Sequence, residues 1–224
     1  MANRLLPFRD YDEHDVINLF ALAAADVNDK LTTTGKGDAG VVVKLTSSAT
    51  AADNAPEGWD LNKAPVTYGA DTGNYMMGDH TIPHLGSNGY PSASLEMAAC
   101  AGTAGESVFG ITLRQTAKFD ENGESLLRYP VKKDEYMAVS PGQVVPVLTK
   151  GLVMVDAKAI ADSAADASLK AGAAIHALAN GCMSTKTDTG VRIGTVLAIG
   201  SRAKQGSSNI DIHEGTFALV KLEL

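Results

Sequence analysis

The sequence predicts a mainly β protein: a small antiparallel barrel or sandwich with long loops and an N-terminal arm. Three observations carry this expectation. Residues 131–224 hold about six short apolar runs at intervals of about 8–12 residues, each bounded by Gly, Pro, Asn or Asp, the spacing of small sandwiches and barrels. The closing segment TFALVKLEL alternates, with Phe217, Leu219, Lys221 and Glu223 on one side and Ala218, Val220, Leu222 and Leu224 on the other. No strand–helix–strand rhythm runs along the chain, so a parallel sheet with a nucleotide crevice is not expected.

Three regions are expected in order: 1–30, an arm with a short helix; 31–130, a β-rich region carrying a long loop; and 131–224, a small β-barrel. In the first, Asp12 or Asp15 caps a short helix whose Val16, Leu19, Phe20 and Ala23 share one face. GVVVKLTSS at 40–48 reads as a strand entered through glycine. Residues 49–94 are crowded with Gly, Pro, Asn and Asp and read as loop, a length that is usually functional or ordered by a partner.

The β signal returns in SVFGITLRQTAKF, which ends at DENGE. Its Asn122-Gly123 pair is a strong hairpin cue, with SLLRYPVKK as the return strand. EYMAVS, QVVPVLT and GLVMVD follow with Pro-Gly and Lys-Gly turns between them, and Pro146 argues for an edge or a bulge. The Ala-rich stretch from 157 is expected to give a short helical turn and then a strand at 173–178. Two more strands flank a turn at 188–190, before the closing strand.

Bulk properties narrow the function. The 224 residues suffice for one large or two small domains without help from a disulfide or metal. Aromatics are only 5 %, which suits packed small side chains better than a deep aromatic pocket. The net charge of −7 comes without any basic block, since Lys132 and Lys133 are followed at once by Asp134 and Glu135; this argues against nucleic acid as a partner. No apolar run reaches the ~18 residues of a membrane helix, so no membrane span is expected. The N-terminus lacks the apolar stretch of a signal peptide, so a protein made and kept in a cytoplasm, or leaving it without secretion, is expected. Cys100 and Cys182 belong to no CxxC pair and read as buried thiols.

Chemistry-bearing residues are sparse. DHTIPH brings Asp79, His80 and His84 together, but the spacing is not HExxH and Pro83 breaks any helix that would align them. His176 reads as a core or half-exposed strand residue, while His14 and His213 sit among acids with no nucleophile beside them. Acid pairs such as Asp10/Asp12 and Glu121/Glu124 read as solvated turns. No GxSxG, GxGxxG or GxxxxGK[ST] occurs. No catalytic residue, cofactor or metal site is assigned, and the chain is not expected to be an enzyme.

The run YMAVSPGQVVPVLTKGLVMVD, followed by LKAGAAIHALANGCMS, TGVRIGTVLAIGS and TFALVKLEL, resembles the small β-barrel or β-tulip modules of tailed-bacteriophage capsid decoration (cement) proteins. The matching positions are Gly142, Gly151, Val153, Val155, Gly172, Gly194, Val196, Leu197, Val220 and Leu222. The resemblance covers about residues 135–224. It implies a virion structural protein on the capsid surface, with the major capsid protein as partner and a homotrimer as its oligomeric form. Under that reading the apolar and aromatic residues of the arm and loop are the candidate partner contacts: Leu5, Leu6, Phe8, Tyr11, Trp59, Tyr68, Tyr75, Met76 and Met77. Two alternatives stand beside it: a head-fibre or carbohydrate-binding β-module, and a metal-dependent enzyme using the loop at 71–90.

Overall fold

The computed structural model describes residues 4–31, 35–46, 96–126, 130–156, 159–160, 169–186, 190–202 and 215–224. Within them the protein is mainly β, with strands gathered into two six-stranded sheets and one three-stranded sheet. The first sheet runs in the order β1 (Leu5–Asp10), β11 (Lys150–Asp156), β15 (Gly215–Glu223), β14 (Arg192–Arg202), β12 (Ala174–Ala177) and β13 (Met183–Ser184). All its pairings are antiparallel, and it curls into half a barrel.

The alternation read in the sequence decides its inner face. Val153 opposes Val220, Val155 opposes Ala218, and Val196 opposes Val220 from the other side. These residues and Leu222 are fully buried. Gly194 sits where no side chain fits, because an added Cβ would meet the backbone carbonyl of Lys221.

The second sheet runs β2 (Val16–Ile17), β10 (Val147–Leu148), β7 (Val108–Thr112), β5 (Val42–Leu45), β6 (Glu96–Ala99), β3 (Ala21–Leu22). Val42, Ile111 and Leu148 from this sheet join Leu5, Val153, Ile175, Val196 and Val220 of the first in one core. Its opposite face carries a second core of Leu22, Val43, Met97, Ala99 and Val147, closed by Phe20 and Phe109 edge to face at 4.8 Å. A sheet buried on both faces reads as a continuous apolar run, and Val41, Val42 and Val43 are all fully buried. The third sheet, β4 (Asn28–Lys30), β8 (Gln115–Phe119), β9 (Ala138–Val139), is parallel and carries a small core of Leu31, Ala117, Leu126 and Ala138.

Four expectations are corrected. The helix expected over 16–23 is absent: Val16–Ile17 and Ala21–Leu22 are strands of the second sheet, because their pairing with β10 and β6 outweighs a weak helical stripe. The arm is not separable either, since 4–31 supplies strands to all three sheets and the boundaries at 30 and 130 cut across pairings. Burial of Leu5, Leu6 and Leu22 contributes roughly 2 kcal/mol each, so removing the segment should unfold the chain. The return strand after Asn122-Gly123 stops early: the turn forms, with Gly123 at φ 90, but the chain enters α1 (Pro130–Glu135). Pro146 marks no edge, because it precedes β10, which is paired on both sides. The loop expected at 49–94 lies outside the described residues, as do 161–168 of the expected helical turn.

Two glycine substitutions separate close packing from backbone strain. Gly172 is left-handed at φ 85 with open space around it, so Gly172→Ala should cost about 1–2 kcal/mol through strain. Gly194→Ala forces β14 off β15 and should cost at least about 3 kcal/mol. Urea titration of both variants checks the order; equal losses would contradict the packing described.

Candidate interaction surface

The buried ionic groups act as struts between connectors. Arg4, 4 % exposed, donates from Nη1 to the Asn180 carbonyl at 3.1 Å and to Cys182 Sγ at 3.2 Å, and from Nη2 to the Gly35 carbonyl at 3.1 Å. Its Nε lies 3.6 Å from Asp38, whose other oxygen accepts from Asn28 at 2.7 Å. Burial pushes the Asp38 carboxyl above its ordinary value, against the opposing pull of the Gly35 N–H, Asn28 and Arg4. Asp26 accepts from the Ala99 N–H at 2.8 Å and pairs with Lys36 at 2.9 Å, tying the turn before β4 to β6.

Glu106 and Asp120 do the same work for two later turns. Burial alone would raise Glu106, but Lys44 at 2.6 Å and the N–H groups of Ala101 and Gly102 outweigh it and hold the carboxyl below 4.5. Asp120 is held below 3.8 first by Lys132, against burial, and then by the N–H groups of Glu124 and Asn122. Lys132 also reaches Glu121 at 3.2 Å, and Glu121 accepts from the Tyr136 hydroxyl at 3.3 Å. Among the described residues no group of three or more His, Cys, Asp or Glu is placed to hold a metal ion, and no described helix is long and apolar enough to cross a membrane.

The expected contact residues divide. Leu5 and Leu6 are corrected: they are 3 % and 6 % exposed and are spent inside the protein, because β1 pairs with β11 instead of reaching outward. Phe8 is 49 % exposed and available. Tyr11 is half-buried against the main core, its Cβ close over Gly151. Trp59, Tyr68, Tyr75, Met76 and Met77 lie outside the described residues, as do Asp79, His80, His84 and His213. His14 is exposed beside Asp12, which caps the short turn it occupies. His176 is half-buried in β12, and its Nδ1 is without a hydrogen-bond partner. Both cysteines are free; Cys100 is buried, Cys182 half-buried, and burial pushes the Cys100 thiol up to about 12.

Two apolar surfaces emerge that the sequence reading did not single out. One is the outer face of the first sheet, where Leu152, Met154, Phe217 and Leu219 stand half-buried on the adjacent strands β11 and β15, with Leu197 42 % exposed beside them on β14. An antiparallel sheet with one wet face should place polar residues there. The signal was present in the closing strand, whose outward set begins with Phe217 and Leu219 before turning to Lys221 and Glu223. The other surface lies around α1, where Val131 is 81 % exposed, Met137 52 % and Phe119 39 %. Met137 also sits at φ 51, a left-handed conformation that a methionine rarely adopts.

The carboxylates set an acid limit on stability. Asp120 and Glu106 are lowered in the fold, so their contribution is complete above the ordinary values of 3.8 and 4.5 and is lost as pH falls through the folded ones. Asp38 is raised and runs the other way, its cost shrinking as pH falls. Thermal midpoints should therefore drop steeply below about pH 4.5, and Asp120→Asn should be less stable at pH 7 but show a shallower drop. A parallel drop in both proteins would contradict the role given to Asp120.

Comparison with protein-family models, with characterised proteins and with solved structures gives no match.

Proposed function

We propose that this chain is a virion structural protein, a decoration (cement) protein of a tailed-phage head. It binds the assembled shell through the major capsid protein and braces the joints between capsomers, acting as a homo-oligomer. The observation that carries the reading is the form of the C-terminal sheet. Val153, Val155, Val196, Val220 and Leu222, the apolar positions of the decoration-protein pattern, all face its core, and Gly142 and Gly172 take the left-handed turns that the pattern asks for. Leu197 departs from the pattern: it falls at a bulge in β14 and is exposed. Apolar side chains left at the surface of a rigid β scaffold supply area for contact with other subunits.

A brace of this kind acts by mass action, since a ligand that favours the assembled state stabilises that state alone. The full chain mixed with purified heads of the phage whose genome encodes it should co-sediment with assembled shells, pass over unassembled capsid subunits, and raise the temperature at which shells come apart. Equal binding to free subunits, or co-sedimentation without any gain in shell stability, would remove the bracing role. Binding to glycans in place of shells would move the chain to the head-fibre alternative.

A further inference from the structure

β14 is paired unequally on its two sides. Against β15 it runs from Gly194 opposite Leu222 to Arg202 opposite Gly215. On the other side β12 stops short. Ala174 opposes Thr195, and Val196 makes the last contact, donating to the Ala173 carbonyl at 2.9 Å and accepting from the Gly172 N–H at 2.8 Å. Beyond it, from Leu197 to Arg202, no described residue pairs with that side of the strand.

The rows of the inner face show what is left unfinished. Val153, Val220 and Val196 stand in one row across β11, β15 and β14; all three are fully buried, and Ala173 packs against the same core beyond them. The next row is Leu5, Val155, Ala218 and Ile199, across β1, β11, β15 and β14. Its first three members are 3 %, 0 % and 0 % exposed, but Ile199 is 38 % exposed. Directly opposed residues of paired strands share a face, so Ile199 points to the core side with Ala218. It is exposed because the row ends at β14, where β12 no longer covers it. Leu197, at the bulge, is 42 % exposed, and Ala198 is exposed beside it. On the outer face Phe217 lies opposite Gly200, and its ring reaches over that glycine toward the open side. Open edges are commonly blunted by Lys, Pro, inward-pointing charges or bulges. LAIGS at 197–201 has no charge and no Pro, and the bulge sits only at its start.

We infer that this edge takes up an extended segment of another protein, which adds to the first sheet as a strand beside β14, in line with β12. Two features define the ligand. A row of unpaired main-chain N–H and C=O groups is satisfied by another extended backbone. The place beside Ile199 takes an uncharged aliphatic side chain pointing into the core, so the segment carries apolar residues at every second position. About six residues fill the stretch from Leu197 to Arg202. A folded second copy fits poorly, because it brings the strands beside its own, and β12 with the turn at Lys170–Ala173 closes one end of the slot. A single segment needs the width of one strand, about 4.8 Å. The inference rests on this edge alone and stands apart from the capsid reading.

A capped peptide of alternating residues, Thr-Val-Thr-Val-Thr-Val-Thr, added to the isotope-labelled full chain tests it by amide NMR signals and hydrogen exchange. The signals of Leu197–Arg202 should move with a dissociation constant of about 1 mM or tighter, and the open-side amides of that stretch should exchange more slowly. The same peptide with N-methyl groups on two adjacent central residues loses both hydrogen-bonding edges and should not bind. Ile199→Asp should weaken binding about tenfold or more, whereas Ile199→Val should bind nearly as the wild type does. Circular dichroism melts check that both variants stay folded. Open-side amides already protected in the free chain would mean that its own residues fill the edge, and would overturn the inference. So would protection that appears as the chain's mass rises to two copies, a peptide that binds elsewhere or not at all, or an N-methylated peptide that binds as well as its parent.

Discussion

The pairing of β11 with β15 is the constraint on which the remainder rests. Seven successive residues, from Lys150 opposite Glu223 to Asp156 opposite Phe217, run without a break in register. A slip of β15 by one residue would turn Val220 and Leu222 out of the core and bring Lys221 and Glu223 into it. The register is therefore fixed by burial on one face, and it fixes in turn where β1 and β14 attach. The same pairing creates the outer face, because the rows that pack inward and the rows left outside are two sides of one alternation. A core position and a surface contact are thus set by a single choice of register.

The N-terminal segment stitches the sheets to one another. It passes from β1 on the first sheet to β2 and β3 on the second and β4 on the third within 26 residues. Arg4 and Asp26 then tie that path to segments far away in sequence, through Asn180 and Ala99, and Asn28 ties it to the nearby turn at Asp38. Buried charges of this kind are a weak source of stability, but they penalise any arrangement that leaves them unpaired. They favour one way of laying the connectors over the apolar core.

Much of the first sheet was legible in the sequence. Regular alternation and glycine corners located β11, β12, β14 and β15, whose neighbours come from the same half of the chain except for β1 beside β11. The second sheet was harder. Its two-residue strands Val16–Ile17, Ala21–Leu22 and Val147–Leu148 are held by partners about 75 to 130 residues away, as in the pairing of Ile17 with Val147 and of Ala21 with Glu96. No local pattern of two residues can announce a partner at that distance, and a faint helical stripe filled the gap. α1 was missed for a related reason: PVKKDE is too short for periodicity to register. Of the expected contact residues, Phe8 is exposed, the outward neighbour of a strand whose first residues are buried. Leu5 and Leu6 misled because apolar character alone does not say whether the partner is another protein or the chain's own core.

The claim that most of this depends on is that the β11–β15 ladder is the last part of the protein to open. Native-state hydrogen exchange measures it directly, since amides differ in the free energy needed to expose them. The amides of Val153, Val155, Val220 and Leu222 should exchange only through global unfolding, more slowly than any in β2, β3 or β4. Exchange of the β11 and β15 amides by local opening, while the second sheet stays protected, would contradict the account.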